Sequence, residues 1–240
     1  MARTPSLPLY QNTFSYGPAL SEHEIRLLSI EPGRGKICCS LTPHRLDTQP
    51  VYEALSYAWG DGRKAFAIIC NGQRLYVTKN LFRALCQLRR NGQTTRLWVD
   101  ALCTNQADNA EKSVQVLMMG AIYKGAQHVR AWLGFADETD EAGLELLRRV
   151  HDRCGLIQPD DMSKDFSFPQ QLGLPGHNDP GWRSVFEILH RPYFSRIWIV
   201  QEFLLARRCT VLLGPHSIDG GAGVRRRHRE VSGPSRCHGD

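Results

Sequence analysis

The residues best suited to chemistry sit where apolar runs stop abruptly at polar side chains. Three such runs stand out: YEALSYAWGD (Tyr52 to Asp61), LWVDALCTNQ (Leu97 to Gln106) and RPYFSRIWIVQE (Arg191 to Glu202). A buried element looks like this when it delivers functional groups to one edge of a core. Glu202 is the most unusual of them, a carboxylate in a segment that is otherwise apolar from Ile197 to Ala206 apart from Gln201. On a helix Trp198 and Glu202 share a face, with Gln201 and Leu205 beside them. A carboxylate in such a place is costly to leave alone. It either pairs with an arginine, Arg191 or Arg196, or lines a cleft.

The two earlier runs end in Tyr57, Trp59 and Asp61 and in Asp100, Asn105 and Gln106. In an open α/β sheet, ligands bind beyond the carboxyl ends of the strands, so these six residues are candidates to shape a substrate site. A plainer reading stands beside that one. Trp59 can be a core anchor, Asp61-Gly62 a simple turn, Asp100 a strand-end cap, and Asn105 and Gln106 partners for loop backbone.

Several chemistries are excluded. There is no P-loop and no GxGxxG fingerprint. The eight cysteines, at 38, 39, 70, 86, 103, 154, 209 and 237, form no CxxC pair and no zinc spacing with histidine, so no metal site is expected. The net charge of +6 carries no basic stripe. Residues 219–240 hold five arginines against Asp219, Glu230 and Asp240, and the remainder is dispersed, which argues against nucleic-acid binding. No apolar stretch approaches the roughly 18 residues of a membrane span, and the N-terminus has no signal-peptide core. The expectation is a cytoplasmic protein with reduced thiols.

The elements that position these residues follow from periodicity. Residues 25–30 and 36–41 read as a hairpin, as do 66–70 and 73–77 around Asn71-Gly72, a pair suited to a type I′ turn. Near-continuous apolar strands are expected at 53–59, 97–102, 128–133 and 209–213. Between them, Leu81, Leu85 and Leu88 mark a helix. Asp108-x-x-Glu111 opens another, as a capping box, with Val114, Leu117, Met118, Ala121 and Ile122 on its buried face. Helices are also expected over 140–154, around Trp182 to Leu189, and over 195–206, the last largely buried. Residues 155–180 read as an insertion loop. The expected organisation is a flexible extension over 1–24, one domain over 25–218, and a disordered basic tail over 219–240.

Taken together the three runs resemble the fungal heterokaryon incompatibility (HET) domain, linked to self/non-self recognition and programmed cell death. The order of elements is also similar, more distantly, to the Toll/interleukin-1 receptor (TIR) domain. ALSY (residues 54–57) resembles its first strand, LWVDALC its second, and Ser195-Arg-Ile-Trp198-x-x-x-Glu202 its third-helix motif. The resemblance implies an α/β fold, TIR-like (flavodoxin-like), with a mostly parallel sheet flanked by helices and added β-hairpins. It implies that Glu202 is the catalytic carboxylate of a NAD nucleosidase. There it would stabilise the oxocarbenium-like state as the nicotinamide–ribose bond of NAD breaks, with Trp59 or Trp198 stacking on a ring. NAD is then substrate and no cofactor is required. Non-catalytic members of the same class imply the alternative, a module that assembles with itself or with a regulatory protein. The environment of Glu202 separates the two.

Overall fold

The computed structural model describes residues 14–90, 92, 96–154 and 173–219. The expected insertion loop up to residue 172 and the tail from residue 220 lie outside them. The first hairpin forms from β1 (Glu24–Ile30) and β2 (Cys38–Arg45), paired antiparallel from Glu24↔Arg45 to Ile30↔Cys39. β3 (Glu53–Tyr57) is buried at every position, including the polar Glu53 and Ser56. The second hairpin joins β4 (Lys64–Cys70) to β5 (Gln73–Thr78). Asn71 at φ 49° and Gly72 at φ 75° supply the two left-handed positions of its turn. Helix α1 (Lys79–Arg90) buries Leu81, Ala84, Leu85 and Leu88.

The run at 97–102 departs from expectation. Only Leu97–Trp98 is strand (β6), and Asp100–Cys103 coils into a short helix, α2. The N–H groups of Leu102 and Cys103 both turn back to the carbonyl of Val99. The long helix α3 (Asn109–Gly125) follows, then β7 (His128–Gly134), α4 (Asp140–Cys154), α5 (Pro180–Leu189), α6 (Ile199–Leu204), β8 (Cys209–Leu213) and β9 (His216–Asp219). The terminal strand β9 has no counterpart in the sequence reading. It pairs antiparallel with β8 from Leu213↔His216 to Thr210↔Asp219.

Among the described residues, nine strands join one sheet in the order β5-β4-β2-β1-β6-β3-β7-β8-β9. The expectation of a mostly parallel sheet is corrected: four neighbouring pairs are parallel and four antiparallel. The hairpins do not stand apart as additions. They extend the sheet itself, and each brings its antiparallel pairing with it. Inside the mixed sheet lies a four-stranded parallel block, β6-β3-β7-β8. By chain order within the block this is 2-1-3-4, the start of the flavodoxin-like order, in which ligands bind where the strand order reverses.

Helix α3 is rotated from the expected face. Glu111, Gln115, Met119, Ile122 and Tyr123 are buried, while Leu117 is 87% exposed. The cause is polar. Arg26 of β1, itself buried, meets Glu111 in a two-pronged ion pair of 2.5 and 3.1 Å. Gln115 donates to the Glu24 carbonyl at 2.8 Å. Leaving buried charge unpaired costs more than exposing an isolated leucine. Glu111 therefore does not close a capping box. Asp108 alone caps the helix, accepting from Ala110 and Glu111 N–H groups.

Residues 14–22 are anchored where they are described. Phe14 and Tyr16 pack against the core, the Phe14 N–H donates to the Arg74 carbonyl, and the Arg26 guanidinium lies 5.0 Å from the Tyr16 ring centre.

Candidate functional site

A cavity of about 730 Å³ opens beyond the carboxyl ends of β3 and β6. Its walls come from the segment after β3 (Trp59, Asp61), the turn after β6 (Asp100, Gln106), the inner face of α3, and residues 192–198 before α6. Of the eight residues singled out by sequence, Trp59, Asp61, Asp100, Gln106 and Trp198 line it. Tyr57 and Asn105 do not. They line a second cavity of about 240 Å³, which shares Trp59 and Gln106 with the first. Trp59 and Gln106 thus separate two adjoining spaces.

Each wall is fixed by named bonds. The Trp59 indole N–H donates to Asp100 Oδ2 at 2.7 Å, tying the two strand ends together. Asn80 at the start of α1 clamps the same region, donating to the Ala58 carbonyl at 2.7 Å and accepting from Trp132 Nε1 at 2.9 Å. Asp61 accepts from the Arg63 N–H, so it serves its turn as well as the cavity. Gln106 donates to the Asp100 carbonyl. The Asn105 N–H donates to Glu111 at 2.7 Å, which hangs the 100–106 turn on the buried Arg26–Glu111 pair.

Asp100 shares this wall with Asp61 and is the carboxylate whose titration the site perturbs. Burial pushes its carboxyl up to about 6, and the charge of Glu202 adds to the rise. The indole of Trp59, the Ala101 N–H and the Arg196 guanidinium pull it down. Tyr57 behind it is raised well above the usual phenol, by burial first and by Asp100 second. Asp100 is therefore mostly ionised at neutral pH yet within reach of protonation.

Glu202 takes a different position. It is 0% exposed and does not line the cavity. Arg196 Nη2 meets Oε1 at 2.8 Å and Nη1 meets Oε2 at 3.1 Å, while the Ser56 hydroxyl also donates to Oε2. Ser56 has one proton to give, so the Tyr193 hydroxyl, 2.7 Å away, donates to Ser56 in turn. Arg196 lines the cavity and Glu202 stands directly behind it. Arg191, the other arginine considered, pairs instead with Asp140 at 2.6 Å. The helix expected over 195–206 is only Ile199–Leu204, with Trp198 at its N-cap. Trp198 turns to the cavity and Glu202 to the core, so the two do not share a working face. Nor is the segment largely buried: Ile197, Val200 and Leu204 are exposed.

Sequence reasoning missed Trp98, Lys112, Gln115 and Met119 as cavity residues. The three on α3 read as surface or core because the helix was placed on the wrong face. Trp98 read as strand core. No group of three or more potential metal ligands occurs among the described residues, and none of their helices is long and apolar enough to cross a membrane.

The description Heterokaryon incompatibility protein (HET) belongs to a family model that matches residues 52–202. The chain is also 30% identical, over 234 residues, to Heterokaryon incompatibility protein 6, OR allele, of Neurospora crassa. That alignment covers 81% of this chain but 34% of the relative, so the chain spans about a third of the relative's length. No solved structure matches. Every residue lining the larger cavity, from Ala58 to Trp198, falls within the matched segment. The chain belongs to the fungal heterokaryon incompatibility (HET) family.

Proposed function

We propose that this HET domain is an effector of incompatibility-linked cell death whose cleft binds NAD and promotes loss of nicotinamide from it. One observation carries the reading: a 730 Å³ cavity at the strand ends, with Trp59 and Trp198 partly exposed on it and the Asp100 carboxylate in its wall. The tryptophans offer faces for aromatic rings. A carboxylate in a site of low polarity stabilises the positive charge that develops on the ribose as nicotinamide departs. The 2-1-3-4 order of the parallel block favours a TIR-like ancestry for the core. Glu202, locked to Arg196, suits a positioning role: it holds the guanidinium at the cavity wall. The catalytic assignment made from sequence therefore passes to Asp100.

The test is NAD consumption and nicotinamide release by the purified protein at high concentration, with Asp100→Asn and Glu202→Gln measured separately. Asp100→Asn should abolish turnover while the protein still unfolds in a single cooperative transition. Wild-type protein that releases no nicotinamide would overturn the reading.

A non-enzymatic reading is favoured by a second observation. Ile197, Val200 and Leu204 are exposed on and beside α6, and Leu117 is exposed on α3, which packs next to it. From Ile197 to Ala206 the sole ionisable residue, Glu202, is buried, so two copies could approach here without charge repulsion. Light scattering across a concentration series should then show association that Ile197→Asp abolishes; a monomer at all concentrations removes this reading.

A further inference from the structure

Among the described residues, two buried side-chain polar atoms have no hydrogen-bond partner: Trp98 Nε1 and Gln115 Oε1. Both side chains line the same cavity, at 1% and 2% exposure. Orphaned buried atoms are uncommon in folded proteins and call for an explanation. Two of them in one cavity wall point to a ligand.

Their chemistry is unambiguous. An indole N–H donates and cannot accept. An amide side chain could in principle be turned over, but Gln115 Nε2 is held at 2.8 Å by the Glu24 carbonyl, which only accepts. Turning the amide would set two acceptors against each other. The wall therefore offers one donor and one acceptor, both neutral.

We propose that Trp98 and Gln115 form an amide-reading subsite, taking a group that carries a hydrogen-bond acceptor beside an N–H donor. A primary carboxamide has both, and so does the amino edge of adenine. A carboxylate has no proton to offer Gln115, and an alkylammonium has no acceptor for Trp98. Both atoms are covered by their surroundings, so the wall must yield before a ligand reaches them. Met119, one turn from Gln115 on the same face of α3 and in the same wall, supplies that give through its flexible thioether chain. The subsite deepens the NAD reading, since NAD carries both a carboxamide and an adenine amino edge. Which of the two groups it takes decides which end of the ligand enters deepest.

The experiment is calorimetric titration of the whole chain with nicotinamide, nicotinate and adenosine in parallel, repeated on Trp98→Phe and Gln115→Met, with thermal melts to confirm folding. Trp98→Phe keeps an aromatic ring and removes the donor. Nicotinamide should bind and nicotinate should not, and each variant should weaken nicotinamide roughly tenfold or more. Adenosine binding with the same sensitivity, in place of nicotinamide, would assign the subsite to the base. Equal binding of nicotinamide and nicotinate, or affinities unchanged in the variants, would overturn the subsite. The comparison of nicotinamide, nicotinate and adenosine on wild-type protein decides the matter even if a variant fails to fold. NAD turnover alongside unchanged variant affinities would sink the subsite alone. Discrimination of nicotinamide without NAD turnover would sink the catalytic reading alone.

Discussion

Glu202→Gln is the most informative single substitution, because the two roles open to Glu202 give opposite results. The wild-type carboxylate accepts from Arg196 twice and from Ser56 once, with no solvent contact. Glutamine retains one acceptor oxygen and puts an amide nitrogen where the other stood. At either position that nitrogen faces a guanidinium N–H, which arrives as a donor, and at the Oε2 position it meets the Ser56 hydroxyl as well. Arg196 also loses its counter-charge while its side chain is only 18% exposed. Breaking a buried ion pair from one side costs about 3–5 kcal/mol. The opening of Arg196 to the cavity puts the expected cost at the lower end, about 3 kcal/mol. For a domain of this size that lowers the thermal midpoint by roughly 6–12 °C. Urea unfolding followed by tryptophan fluorescence would measure it, with Arg196→Met and the double variant completing a cycle. The double variant should recover much of the loss, since two uncharged residues leave no charge stranded. A Glu202→Gln protein melting within about 2 °C of wild type would refute the argument and return Glu202 to the list of groups free for chemistry.

The pH dependence of Asp100 has a definite sign. A carboxyl raised to about 6 when folded binds its proton more tightly there than in the unfolded chain. It therefore penalises the folded state above pH 6, and the penalty fades as pH falls toward about 4. Stability should drop between about pH 4 and 7 by at most about 3 kcal/mol from this group, and Asp100→Asn should flatten that slope in urea titrations. Asn80→Ala strips partners from the buried Trp132 indole and the Ala58 carbonyl. A loss of about 1–3 kcal/mol, measured by the same unfolding, should be accompanied by a shift in Trp59 fluorescence. Gly143→Ala should destabilise the α4–α5 contact, because its new Cβ would lie 2.9 Å from the backbone carbonyl carbon of Ser184. A midpoint equal to wild type would show that the two helices can slide apart without cost.

What the sequence made legible was whatever local pattern decides. β3, β7 and β8 are mostly apolar runs, and the Asn71-Gly72 turn needs two left-handed residues in a row. Four cavity residues, Trp59, Asp61, Asp100 and Gln106, were legible because they follow apolar runs directly. The placement of α3 was not, because Glu111 and Gln115 read as solvent-facing and their partners, Arg26 and the Glu24 carbonyl, lie about ninety positions away. The sheet order was equally hidden. Nothing local says that the β1–β2 hairpin inserts between β4 and β6. Glu202 posed a choice that sequence framed correctly, arginine pair or open cleft, and only the position of Arg196 decided it.

The sheet order bears on where this domain can be cut. The family segment, residues 52–202, holds every residue of the larger cavity but omits β1, β2, β8 and β9. A protein trimmed to that segment would expose the edge of β7 that β8 covers, and would leave the two-residue β6 without β1 on its outer side. It would also strand Glu111 in the interior without Arg26. Unpaired strand edges of apolar sequence recruit other chains. The stretch that carries the family's signature is thus not a unit that can be expressed by itself. Boundaries for a recombinant fragment belong outside Phe14 and Asp219, with the recognisable motif well inside them.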